Sequence, residues 1–227
     1  MARCYIPSDG PDSWRGFLAE PDKHWKTGHS AKTLAHSWEA EDRLPHEIDS
    51  LIRTVPRYEH EKPELLLAVP EWKVPLPGGR RDSQNDVIAL IGVGRDLMVA
   101  AVEGKVSEPF GDTIEQWYAV PSEGKTERLQ YLCRLLEMPF PPERHLRYQL
   151  FHRAASAVIE CTRFRAHAPA MIVHSFSPED EWFEDYAAFV TTLGGSPQPD
   201  RMTEVRVSRG VKLQLGWARG DQAYLKA

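Results

Sequence analysis

The sequence predicts an α/β (α+β) layered domain, with helices covering a mixed sheet. Three observations carry this reading. The chain has 227 residues, 41% hydrophobic and 27% charged, enough for one domain with a sizeable core. Its apolar residues follow helical spacing near both ends of the chain and strand-like spacing in the middle. The order of segments is helices, a three-stranded meander, helices, a strand, a helix and a hairpin.

Residues 1–29 are polar, with Pro7, Pro11 and Pro21, and read as an irregular segment that packs Trp14, Phe17 and Trp25 onto the domain. A core follows over residues 30–176. In "SAKTLAHSWEAE", Ser30 is the expected N-cap, and Ala31, Leu34, Ala35 and Trp38 follow the i, i+3, i+4, i+7 pattern. "LPHEIDSLIRT" restarts a helix, with Pro45 suited to its first turn. "ELLLAVPEWKVPL", "DVIALIGV" and "LMVAAVEGKV" read as strands, the last two joined as a hairpin through "GVGRD".

"GKTERLQYLCRLLEM" and "RHLRYQLFHRAASAVIECTRF" read as helices, the second turning Leu150, Phe151, Ala154, Ala155 and Val158 inward. "APAMIVHSF" is a buried-type strand. Residues 177–227 add a C-terminal helix and a hairpin. The helix, "SPEDEWFEDYAAFVTTLGG", has Ser177 as its expected cap, Pro178 at its first position and Gly194 past its end. The hairpin is "EVRVSRGVKLQLGW".

A net charge of −5 argues against a protein that coats nucleic acid or anionic membrane by bulk charge. Cys4, Cys133 and Cys161 are odd in number and widely spaced, so neither a disulfide framework nor a zinc ribbon is visible. The first residues contain no apolar signal region, and no run approaches the ~18 apolar residues of a membrane span. A cytoplasmic protein without membrane contact is expected.

"MVAAVEGKVSEPFGD" carries the chemistry. Glu103 and Lys105 stand where an apolar strand would place more valine. With a two-residue loop at Gly94-Arg95, Val93 faces Asp96 and Asp86 falls opposite Glu103. Side chains alternate faces, so Asp86, Glu103 and Lys105 share one face with Ile88, Leu90, Val99 and Ala101. Opposed carboxylates repel with Cβ atoms roughly 4.5–5.5 Å apart, and a divalent cation would remove that cost. Two oxygen ligands with room for water and phosphate suit Mg²⁺ or Mn²⁺. The ammonium of Lys105 reaches the same place, to orient a water or stabilise charge on a phosphate.

Asp86 followed by "EGK" at the end of the next strand resembles the PD-(D/E)XK phosphodiesterase superfamily, which includes restriction endonucleases and RecB-type nucleases. The order of elements from Ser30 to Phe176 resembles its restriction endonuclease-like core. "SAKTLAHSWE", "EGKVSEPFG" and "RYQLFHRAASAVIE" also resemble an uncharacterised bacterial family, a domain of unknown function. The superfamily resemblance implies that Asp86 and Glu103 bind metal, that Gly104 offers its carbonyl, and that Lys105 is catalytic. Residue 85 is Asn, so the proline of the "PD" pair is absent. Gln149 is present, but His152 and Arg153 stand where RecB-type members carry tyrosine.

Further residues join the expected site. Lys32, His36 and Glu39 border the apolar face of the first helix. Glu39 is therefore a candidate further metal ligand, or else a solvated helix residue, while Glu108 reads as a loop residue. Gln149, His152, Arg153, Ser156 and Glu160 line the polar side of the long helix. With Arg144, His145, Arg147, Arg163 and Arg165 nearby they form a basic patch for phosphate contact. Arg80 and Arg81 are a second phosphate contact, and each arginine alone also reads as a surface charge.

The expected function is a metal-dependent nuclease acting on nucleic acid of undefined type, with a homodimer as an option. The alternative is a non-catalytic nucleic-acid or protein interaction module on the same fold, as in a bacterial defence system.

Overall fold

The computed structural model of the chain describes residues 8–40 and 42–227, so Cys4 and Pro7 lie outside the described residues. The segment expected to be irregular contains a 3-10 turn, Pro11–Phe17, and a short helix α1, Pro21–His24. Each starts on a proline, whose fixed φ suits a first turn and whose missing N–H costs nothing there. Trp14 is buried, and Phe17 and Trp25 pack beside it as expected.

Helices α2 (Ser30–Glu39) and α3 (His46–Arg53) precede the meander β1 (Glu64–Val74), β2 (Ser83–Val93) and β3 (Asp96–Lys105). Helices α4 (Ile114–Trp117), α5 (Glu123–Leu136) and α6 (Tyr148–Arg163) follow, then β4 (Ala168–Ser175) and α7 (Phe183–Thr192). Strands β5 (Thr203–Val207) and β6 (Val211–Arg219) form the closing hairpin. The six strands lie in the order β1-β2-β3-β4-β6-β5, with β4 parallel to both neighbours.

The period of two sorts each strand onto two cores. Val99 and Ala101 of β3 pack under α5, α6 and α7, whereas Met98, Ala100 and Val102 pack under α2 and α3. Strand β4 is covered on both faces and buried throughout, as a parallel central strand must be. The β2–β3 hairpin has the expected two-residue loop. Val93 pairs with Asp96, Gly94 takes φ 59°, and the register runs unbroken to Val87 opposite Val102.

Three helix starts differ from expectation. Helix α2 does begin at Ser30, but its N-cap is His29, which makes no side-chain cap. The carboxylate of Glu108 serves instead, accepting from Ser30 N at 2.9 Å and from Val106 N at 3.0 Å. Helix α6 starts at Tyr148 because the preceding residues pair with another segment: Ile114 N donates to Leu146 O at 2.7 Å and Glu115 N to Arg144 O at 2.9 Å. Helix α7 starts at Phe183 rather than Pro178. Ser177 Oγ accepts from Glu179 N and Glu181 N in a turn, and Asp180 and Trp182 are left-handed. Among the described residues no helix is long and apolar enough to cross a membrane.

Candidate active site

One end of the β1–β2–β3 meander opens into a cavity of about 490 Å³. Glu71, Gln84, Asp86, Glu103 and Lys105 line it from the sheet, and Gln149, His152 and Arg153 from α6. Leu18, Ala19 and His24 contribute from the N-terminal segment, and Trp117 and Tyr148 form an aromatic side. The register predicted from the two-residue loop thus brings Asp86, Glu103 and Lys105 to one place.

Glu103 is the most heavily engaged. Its side chain is 4% exposed, and Lys105 Nζ and Gln149 Nε2 each donate to Oε1 at 2.7 Å. Arg153 Nε donates to Oε2 at 2.5 Å. Burial works against the charge, but Arg153 and then Lys105 outweigh it and hold the carboxyl below its ordinary range. Lys105 also sits 4.9 Å from the Phe110 ring centre and 3.5 Å from Gln149 Oε1.

Asp86 is the opposite case. Gly104 N donates to its Oδ2 at 2.8 Å. Burial, then the charges of Glu103 and Glu71, push its carboxyl well above the ordinary value. An extended residue sends its N–H and C=O toward the same neighbouring strand. The carbonyl of Gly104 therefore turns toward β2, the direction in which its N–H finds Asp86.

Sequence reasoning missed Glu71. It falls opposite Asp86 in β1, between the pairs Pro70–Val87 and Trp72–Asn85. The meander therefore carries Glu71, Asp86 and Glu103 on three adjacent strands. Glu71 is left-handed at φ 53°, a conformation that costs a non-glycine residue roughly 1–3 kcal/mol. Burial raises its carboxyl to about 7, although Gln84 Nε2 donates to it. The available signal was weak: an acid flanked by Pro70 and Trp72 in a strand whose alternation it breaks.

Other expected residues lie elsewhere. The carboxylate of Glu39 accepts from Trp14 Nε1 at 2.7 Å and Ser8 Oγ at 2.5 Å. It anchors the N-terminal segment and is not part of the cavity wall. Arg80 and Arg81 are exposed on the β1–β2 connection, also outside the wall. That connection is pinned to α5: a Cβ on Gly78 would lie 2.1 Å from Gly124 O, so only glycine fits.

Part of the polar stripe of α6 faces inward, where it meets Glu103 of β3 and Ser83 of β2. Arg153, Ser156 and Glu160 are buried. Arg153, expected to contact phosphate, instead pairs with Glu103. Its NH1 group lies 3.3 Å from Ser83 Oγ and 3.2 Å from His152 Nδ1. A guanidinium only donates, so His152 accepts there and is neutral. Burial, then Arg153, depress its proton affinity in the same sense.

Much of the expected basic patch is already spent on acids. Arg144 pairs with Glu115 at 3.1 Å, Arg147 with Asp185 at 2.8 Å and Arg163 with Glu160 at 3.4 Å. Cys133 and Cys161 are buried free thiols, pushed up by burial to about 11.

No curated protein and no solved structure matches the chain. A family model described as Domain of unknown function (DUF6946) matches residues 7–222, nearly the whole chain, and the protein belongs to that family.

Proposed function

We propose that this domain is a metal-dependent phosphodiesterase acting on nucleic acid, with Asp86, Glu103 and Lys105 as its centre. The observation that carries this reading is the convergence of these three side chains, from two strands, in one cavity with Gln149 of α6 on the central carboxylate.

The donor chemistry fits Mg²⁺ or Mn²⁺. Among the described residues no three acids, histidines or cysteines converge as a ready-made cage. Mg²⁺ does not require one, since it keeps several waters and takes one or two carboxylates. Asp86, Glu103 and the Gly104 carbonyl would hold the ion, and the Asp86 carboxyl, raised by burial and then by the charges of Glu103 and Glu71, would be favoured in its charged form by a divalent cation. When bound, such an ion polarises a phosphoryl oxygen and lowers the pKa of a water it binds.

The protein's own groups have separate tasks. Lys105 presents an ammonium held between Glu103 and Gln149, suited to stabilise charge that develops on a phosphate. Gln149 fixes the orientation of Glu103. His152, kept neutral, is not a proton donor at neutral pH. Arg153 balances the carboxylates from within the protein, without reaching out for phosphate.

A second reading, a non-catalytic interaction module, is favoured by one observation: Glu103 is already satisfied by Lys105, Gln149 and Arg153. Cleavage separates the two. Purified protein with Mn²⁺ is expected to degrade some single- or double-stranded nucleic acid, and EDTA to abolish this. Asp86→Asn and Lys105→Ala are each expected to lose about a hundredfold or more while keeping the wild-type circular dichroism spectrum. Wild-type activity in Asp86→Asn would overturn the assignment.

A further inference from the structure

Trp117 and Tyr148 stack with ring centres 3.9 Å apart and planes 11° apart, and both line the cavity that holds Asp86, Glu103 and Lys105. The pair is built rather than collapsed. Thr113 and Gln116 close a capping box around α4. Lys125 Nζ donates to Trp117 O at 2.6 Å. Tyr148 N donates to Asp112 O at 3.1 Å, within the same strip of backbone pairing that carries Ile114 and Leu146. The backbone beside both rings is thus held. The rings cover one face of each other, Lys125 Nζ lies 5.4 Å from the Trp117 ring centre and the His152 ring 5.0 Å from that of Tyr148, so what the pair offers the cavity is its remaining ring surface.

The charges of the wall sharpen the point. Among the described residues, the wall carries the acids Glu71, Asp86, Glu103, Glu108 and Asp112 beside Lys105, Arg153, His24 and His152. In the reading above, phosphate is served by a divalent cation and Lys105, and phosphate contacts do not tell one strand form from another. A preference among strand forms must come from another part of the ligand. A nucleobase is neutral, and its π-face matches an aromatic wall.

Access points the same way. The carboxylate of Glu103 is 4% exposed at the bottom of the cavity, whose volume of about 490 Å³ suits one small ligand unit. Bases in a duplex have their faces covered by their neighbours, so a base reaches such a wall only when unstacked. We propose that Trp117 and Tyr148 are a stacking platform for one unpaired nucleobase, and that the site takes single strands or frayed ends in preference to intact duplex. This rests on the nuclease reading above and names its substrate class.

The test is equilibrium binding in Ca²⁺ of a single-stranded DNA octamer carrying internal 2-aminopurine, beside a blunt hairpin of the same labelled sequence. Stacking quenches the probe. The single strand is expected to bind more tightly than the hairpin and to be quenched. Trp117→Ala is expected to weaken it by roughly tenfold or more and abolish quenching, and Trp117→Phe to restore most of both. Tyr148→Leu gives a second route if Trp117→Ala melts early.

Equal binding of the hairpin, unchanged quenching in Trp117→Ala, or no binding of the single strand overturns the platform. A parallel Mn²⁺ melting titration locates the failure. If the Mn²⁺ shift depends on Asp86, only the platform falls. If it does not, the nuclease reading falls and the platform with it.

Discussion

On the face of the sheet under α2 and α3, His174 is fully buried, yet both ring nitrogens are satisfied. Trp38 Nε1 donates to Nδ1 at 3.3 Å, so Nε2 carries the proton and donates to Glu47 Oε1 at 2.8 Å. Burial opposes the Glu47 charge, but the histidine wins and its carboxyl is lowered. On the other face, Asp86 and Glu103 share Lys105 and Arg153, Glu71 feels Arg153 as well, and the sharing is unequal. Glu103 takes both cations at short range, while Asp86 and Glu71 are pushed toward the protonated form. The first cluster closes on itself, donor to acceptor, and asks for nothing. The second holds more acids than its own cations serve, and the proposed metal site would use that imbalance.

The largest effect on stability should come from the cation that balances the second cluster. Arg153→Met leaves a buried carboxylate short of its closest partner, and loss of one member of such a pair costs about 3–5 kcal/mol. Urea unfolding is expected to show that loss in EDTA and a part recovery in Mn²⁺. An unchanged midpoint would mean that Arg153 is dispensable to the cluster. On the closed side, Glu47→Ala strands the His174 Nε2 proton in a buried site, at about 1–3 kcal/mol. The Mn²⁺ response of this variant should match wild type, and a lost response would join the two clusters energetically.

The smallest effect is the most specific. A carboxyl whose folded pKa is raised contributes stability that is complete below its unfolded value and lost as pH rises through the folded one. For Glu71 that window runs from the ordinary carboxylate range up to about 7. Metal-free wild type should therefore lose stability across it, and Glu71→Gln should flatten the loss. At pH 8 the variant should be more stable by on the order of 1 kcal/mol, with the two equal near pH 4. Parallel pH profiles would show that Glu71 carries no such cost.

How much of this was legible in the sequence depended on how local the physics is. The β2–β3 register followed from a two-residue loop, because parity alone then decides which side chains share a face. Asp86, Glu103 and Lys105 came together on that basis, while Gln149 was picked out from the polar side of the long helix and from the resemblance. Glu71 was hidden because a left-handed residue breaks the alternation by which strands are read. Arg153 was identified, but its direction depended on how α6 packs over the sheet, which no local pattern records. What Glu39 and Glu108 hold was hidden for the same reason. The helix acid is drawn to Trp14 of the N-terminal segment, and the loop acid caps a helix 78 residues away. Trp117 and Tyr148 meet through pairing between two loop segments far apart in sequence.

The central claim is that the interruption in "MVAAVEGKVSEPFGD" is a metal site, and melting under a Mn²⁺ titration tests it without any substrate. An ion that binds only the folded state adds about 2.7 kcal/mol at a hundredfold excess over Kd. Wild type should show a rising Tm. Asp86→Asn and Glu103→Gln should lose most of the rise, and Lys105→Ala should keep it, because removing a cation does not remove a ligand. Four proteins with equal shifts would place the ion elsewhere and contradict the account.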